Sequence, residues 1–146
     1  MTATLLPTKL QEVVDLFRTT PPDGRLDLLL EFSESLPDLP PRYQESPELL
    51  EPVPECQSPF FLAADVEDGH VALHFQVPKE TPTVRGYAGL LEDGLTGSTP
   101  DEVLQVPDTF YLDMGLTELV SPLRLRGMGA IMGRVKKQVR QKAGLA

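Results

Sequence analysis

Six prolines fall between residues 37 and 54, in the run PDLPPRYQESPELLEPVPE. Proline has no N–H to donate and a fixed φ, so most of this stretch is barred from a regular helix or a central strand. A connection of this length inside a compact domain is either functional or a tether. It separates two predicted helices from everything that follows.

On the N-terminal side, Thr8 with Gln11 has the spacing of a capping box, and Leu10, Val13, Val14 and Phe17 form the stripe of a first helix. TTPPDG breaks that helix. A second is expected from near Asp23 to Leu36, with Leu26, Leu29, Leu30 and Leu36 facing the core. After the proline-rich run, Cys56 to Asp65 is expected to be a strand. VEDG then turns it, and HVALHFQV returns with Val71, Leu73, Phe75 and Val77 alternating against His70, Ala72, His74 and Gln76. That is the pattern of a half-buried antiparallel strand. With the turn centred on Glu67 and Asp68, His74 faces Phe61 and Cys56 faces Lys79.

Thr81 and Pro82 open the next helix, with Val84, Tyr87, Ala88 and Leu91 on one face. Thr99, Pro100 and Glu102 open a short one by the same chemistry. VPDTFYLDMGL is a connector. Ser121 and Pro122 open a long last helix, with Leu125, Met128, Met132, Val135 and Val139 at its 3–4 spacing. There is no internal repeat. The expected fold is α+β: a single domain over residues 1–146, with a small antiparallel sheet packed against helices.

The 146 residues suffice for a real core, and no apolar run reaches membrane length. The N-terminus lacks the basic start and apolar block of a secretory signal. Net charge of −9 argues against nucleic acid as the main partner. The charge is uneven: residues 121–146 hold seven bases (Arg124, Arg126, Arg134, Lys136, Lys137, Arg140, Lys142) and no acid. This basic helix on an acidic body is either a docking face or a solvated face that complements the helix dipole.

Cys56 is the only cysteine. It has no internal disulfide partner and cannot supply a multi-thiolate zinc or iron–sulfur site. A lone thiol without a signal peptide fits a reducing cytoplasm. His70 and His74 share a strand face but stand ~13 Å apart, too far to share an ion. The register keeps His74 away from Cys56, so a Cys–His nucleophilic pair is not expected. No phosphate-binding or dinucleotide-binding glycine motif occurs. Near the helix start at Pro82, Lys79 and Arg85 would favour a thiolate at Cys56, while Glu55 and Glu80 would oppose it. From these residues alone, Cys56 is either a packed small hydrophobe or a reactive sulfur.

Four segments in order resemble the SufE family of sulfur acceptors for cysteine desulfurases. LPDLP resembles the family's Leu-Pro-x-Leu stretch before the cysteine loop. CQSPFFL resembles its Cys-Gln-Ser-x-x-Trp-Leu segment, TVRGYAGLL its Ile-Val-Lys-Gly helix start, and LVSPLRLRGMGAIMGRV its Leu-Ser-Pro-x-Arg-x-x-Gly-Leu-x-x-Met helix start. The resemblance implies that Cys56 is the persulfide acceptor, with Gln57, Ser58, Arg85 and Arg124 toward the partner. It also implies a fold shared with IscU/NifU-type scaffolds. The implied partners are a SufS-like, pyridoxal-phosphate-dependent cysteine desulfurase, which the chain stimulates, and a SufBCD-like scaffold complex that receives the sulfur. No cofactor of the chain's own and no turnover alone are implied. An adaptor that binds the desulfurase without carrying sulfur is the alternative. The chain departs from the family pattern at Glu55, where Gly is usual, at Phe61, where Trp is common, and at PKETP.

Overall fold

A computed structural model describes residues 6–56 and 58–144. Among the described residues six α-helices and three strands follow one another, with three short 3-10 turns between them: α1 (Thr8–Thr19), α2 (Pro22–Ser35), α3 (Pro41–Glu45), β1 (Glu51–Pro52), β2 (Phe61–Glu67), β3 (His70–Gln76), α4 (Pro82–Leu95), α5 (Pro100–Leu104) and α6 (Pro122–Lys142). The sheet is antiparallel in the order β1-β2-β3. Its inner face, with Leu62, Ala64, Val71, Leu73 and Phe75, joins one large apolar core with α1, α4 and α6.

The proline-rich connection is not a loose tether. It folds over the outer face of the sheet, where Tyr43 and Leu50 cover Ala63. It also supplies the edge strand β1, in which Pro52 is tolerated because an edge leaves its missing N–H unneeded. Asp65 of β2 fastens this layer. Its carboxylate accepts from the Tyr43 hydroxyl at 2.8 Å and from Lys142 Nζ at 2.6 Å, and it pairs with Arg42.

α2 and α4 approach backbone to backbone. A Cβ on Gly86 or Gly89 would stand 2.3 Å from the Leu29 carbonyl oxygen or 2.1 Å from that of Phe32. The contact is therefore narrow. Leu29 and Leu36 are buried, but Leu26 and Leu30, expected in the core, lie on one flank of it at 43% and 42% exposure. α1 has no capping box. Pro7 is its N-cap and Thr8 is already helical, so the Thr8 hydroxyl is not placed to cap; Gln11 donates to Asp15 instead. Further on, Thr99 and Glu102 form the expected capping box, and Ser121 Oγ accepts from Arg124 N at 3.3 Å, whereas Thr81 holds the N-cap position of α4 without capping it, its hydroxyl donating to the Pro78 carbonyl at 3.0 Å. Leu125 lies at the edge of the core, and Ile131 joins Met128, Met132, Val135 and Val139 within it.

Two expectations for the hairpin are corrected. β2 begins at Phe61, not at Cys56, because Pro59 cannot donate to a ladder and the chain leaves the sheet there. The turn falls on Asp68–Gly69, both at positive φ (51° and 78°), one residue later than expected. The register therefore slides by two, and His74 lies opposite Ala63, not Phe61.

Candidate functional site

The connection between β1 and β2 is closed at its foot. Its base is the hydrogen bond from Val53 N to the Phe60 carbonyl, 2.9 Å long. Val53 and Phe60 are both buried in the main core, and Phe60 meets Phe75 edge-on with ring centroids 5.7 Å apart. The two ends are thus anchored by apolar burial, and Pro54 and Pro59 stiffen the arms between anchor and tip. At the tip, Pro54–Cys56 makes one 3-10 turn.

Cys56 lies in that turn, 3% exposed. The sequence placed it beside the start of the helix at Pro82. The structure instead packs its turn against α6, because the loop leaves the sheet before the hairpin register applies. Gly127 makes the approach possible: a Cβ there would stand 3.1 Å from Cys56 Cα, 3.3 Å from the Glu55 carbonyl oxygen and 3.5 Å from Cys56 Sγ. The thiol points at the Gly127 carbonyl, 3.9 Å away, a weak donor contact. Burial pushes the Cys56 thiol up to about 12, and Glu55 adds to this, while Arg134 and Arg124 pull it down. Those are the charges acting on the thiol; Lys79, Glu80 and Arg85 are not among them.

Glu55 has negative φ, like every non-glycine residue described except Asp68, so replacing a glycine strains nothing here. Its carboxylate instead meets a partner the sequence analysis missed. Arg134 Nη2 donates to both Glu55 oxygens, at 2.8 and 3.0 Å, and Arg134 Nη1 donates to Glu51 Oε2 at 2.5 Å. Gln138 bridges onward, donating to Glu51 Oε1 at 2.8 Å and accepting from Ala64 N at 2.7 Å. The Arg134 hydrogen bonds hold the Glu55 carboxyl below its ordinary range. Burial raises Glu51, but Gln138 and Arg134 outweigh it, and its net shift is also downward. Arg134 follows Gly127 by seven residues, two turns on along the same helix face. That spacing was the available signal.

The other expected site residues divide. Arg124 is exposed one turn before Gly127, and among the described residues it forms no ion pair, though its charge acts on the thiol. Ser58 is half-buried in the loop, and Gln57 lies outside the described residues. Arg85 is not brought to Cys56. Its guanidinium donates to the carbonyls of Ser33, at 3.0 Å, and Val77, tying α2 to the segment after β3. Among the described residues no three His, Cys, Asp or Glu side chains are grouped to hold a metal ion, and no helix is long and apolar enough to cross a membrane.

Residues 11–139 match the family model for SufE, the Fe-S metabolism associated domain. The chain belongs to the SufE family. An uncharacterized SufE-like protein of Mycobacterium tuberculosis is 48% identical over 137 residues, covering 93% of this chain and 94% of the relative. A Plasmodium vivax protein named cysteine desulfuration protein SufE is 28% identical over 126 residues, covering 77% of this chain and 51% of its own length. Among solved structures, a hypothetical protein from Thermus thermophilus is 46% identical with a TM-score of 0.86, covering 95% of this chain and 98% of the other. Membership of the SufE family places the chain in iron–sulfur metabolism and gives context to a lone cysteine on an anchored loop beside an exposed arginine.

Proposed function

We propose that this chain is a sulfur carrier of iron–sulfur cluster assembly, working in the cytoplasm. It accepts sulfane sulfur on Cys56 from a cysteine desulfurase, stimulates that enzyme, and relays the sulfur to a cluster scaffold. The observation that carries this reading is the placement of Cys56. The only thiol of a SufE-family chain sits on a short turn between two buried anchors, against Gly127 and one helical turn from the exposed Arg124.

The chemistry asks for one sulfur. The Cys56 thiolate attacks the outer sulfur of the desulfurase persulfide. The bond between that sulfur and the desulfurase cysteine breaks, and a new one forms to Cys56. The leaving thiolate takes up the proton that Cys56 released, and there is no net oxidation. A second nearby cysteine would resolve the product into a disulfide, and the chain has none. In the closed loop the thiol is covered and protonated, so docking must expose it before attack.

The test is mass spectrometry of the protein after incubation with a desulfurase and cysteine. Wild type should gain one sulfur atom at Cys56, and Cys56→Ser should gain none and lose the stimulation while keeping its melting temperature. The covered, protonated state of the thiol favours one other reading, an adaptor that stimulates the desulfurase without carrying sulfur. If Cys56→Ser stimulates as well as wild type, the adaptor reading replaces the carrier.

A further inference from the structure

We infer that Arg134 is a latch: by gripping Glu51 on β1 and Glu55 on the thiol's own turn, it holds the 53–60 loop shut on α6, and Cys56 reacts only when that grip is released. The biological use of such a latch rests on the carrier reading, but its action on the thiol does not.

The contacts of the loop are unequal. Among the described residues, the hydrogen bonds from residues 54–59 to α6 are the two from Arg134 to Glu55 and the long thiol contact to Gly127. Among the described residues, the one charge-assisted attachment of the tip to α6 is therefore the Arg134 guanidinium. The two ends of the clamp also differ. Glu51 is fixed, since Gln138 binds its second oxygen and is itself tied to the β2 backbone. Glu55 has Arg134 as its one ion-pair partner among the described residues, besides a bond to its own backbone, and its side chain is 48% exposed. A half-exposed pair is weak and readily exchanged for water or for a partner's charge, which suits a catch that must let go. Closure carries a cost as well, because Arg134 Nε is buried and, among the described residues, has no hydrogen-bond partner. The apolar anchors at Val53 and Phe60 confine the motion to the tip.

The experiment is the rate of Cys56 alkylation by iodoacetamide at neutral pH, with the full chain alone and no desulfurase present. Charge and latch predict opposite signs for Arg134→Met. The arginine's charge favours the thiolate, so its loss in a closed loop would slow alkylation. If the latch operates, alkylation rises by roughly two- to fivefold, the scale of a lost partly exposed charged pair. Glu55→Gln should raise it similarly, and the double variant no further, because the two side chains make one contact. Arg134→Lys, a single-pronged donor, should fall between. Melting temperatures should stay close to wild type. Glu55 itself raises the thiol, so a faster Glu55→Gln is expected with or without a latch; if Arg134→Met is less stable, Arg134→Lys decides, because it keeps the charge, and a rate no faster than wild type there overturns the latch. An unchanged or slower rate in Arg134→Met at wild-type stability, or additive effects in the double variant, would overturn the latch. Neither result touches the persulfide experiment, which reads acceptance at Cys56 directly.

Discussion

Cys56 keeps its proton because the folded chain gives a thiolate little solvent and a carboxylate neighbour. Its ordinary value of 9.0 rises to about 12 in the native state. Between those values the native chain binds a proton that the unfolded chain releases. The stability from this group is therefore complete below pH ~9 and is lost as pH climbs through the interval. Thermal melts of wild type and Cys56→Ser from neutral pH to pH ~10.5 test this: wild type should lose melting temperature faster. Parallel curves would mean that the thiol ionises freely in the folded protein. The candidacy of Cys56 came from its being alone and from the motif around it. The role of Arg134 was not legible, because nothing in a sequence states which helix face meets a loop about 80 residues away.

At the scale of elements, local chemistry was the readable part. The proline and hydroxyl pairs opening α4, α5 and α6 marked their starts, and the alternation of β3 matches its buried and exposed sides. The start of β2 was misjudged because its apolar run continues back toward Cys56, and only Pro59 marks the departure. Aspartate–glycine was the stronger turn signal, and would have set the register correctly. The glycines give an element-scale prediction in which one substitution has two outcomes. Gly89→Ala drives a methyl against the α2 backbone, 2.1 Å from the Phe32 carbonyl oxygen. Neither helix can yield, so denaturant unfolding should show a loss of ~1–3 kcal/mol or more. Gly127→Ala presses on the Cys56 turn at 3.1 Å, and that turn can lift. Faster iodoacetamide labelling at nearly wild-type stability is the expected result there; a loss as large as that of Gly89→Ala would show the turn to be rigid core.

Across the whole molecule, the basic last helix is both staple and surface. Arg134 pairs with Glu51 and Glu55, Lys136 with Asp108 at 2.7 Å, and Lys142 with Asp65, so three of its seven bases bind α6 to the acidic body. Arg124, Arg126, Lys137 and Arg140 are exposed and, among the described residues, form no ion pair. Arg124 stands in the first turn, where the helix dipole disfavours a cation, so helix stability does not account for it. We predict that Arg124→Ala weakens binding to the desulfurase by ~1–3 kcal/mol, as a lost charged hot spot does, with Lys137→Ala doing much less. Calorimetric titration of both variants measures it. Equal losses would mean diffuse attraction, and no loss at Arg124 would displace the docking face. The α+β layer was legible from the order of elements. The division of the basic residues was not, because it depends on acids brought near only by folding.

The closed loop also bears on damage. Peroxide attacks sulfur chiefly as thiolate, and the later steps of that oxidation, to sulfinic and sulfonic acid, are irreversible at a site like this one. A covered, protonated Cys56 offers an oxidant neither access nor the reactive form. Every excursion of the loop away from Gly127 suspends that protection. The fraction of time the tip spends lifted therefore sets how fast the only thiol in the chain is inactivated under oxidative stress, and a variant that opens more readily should age faster in peroxide.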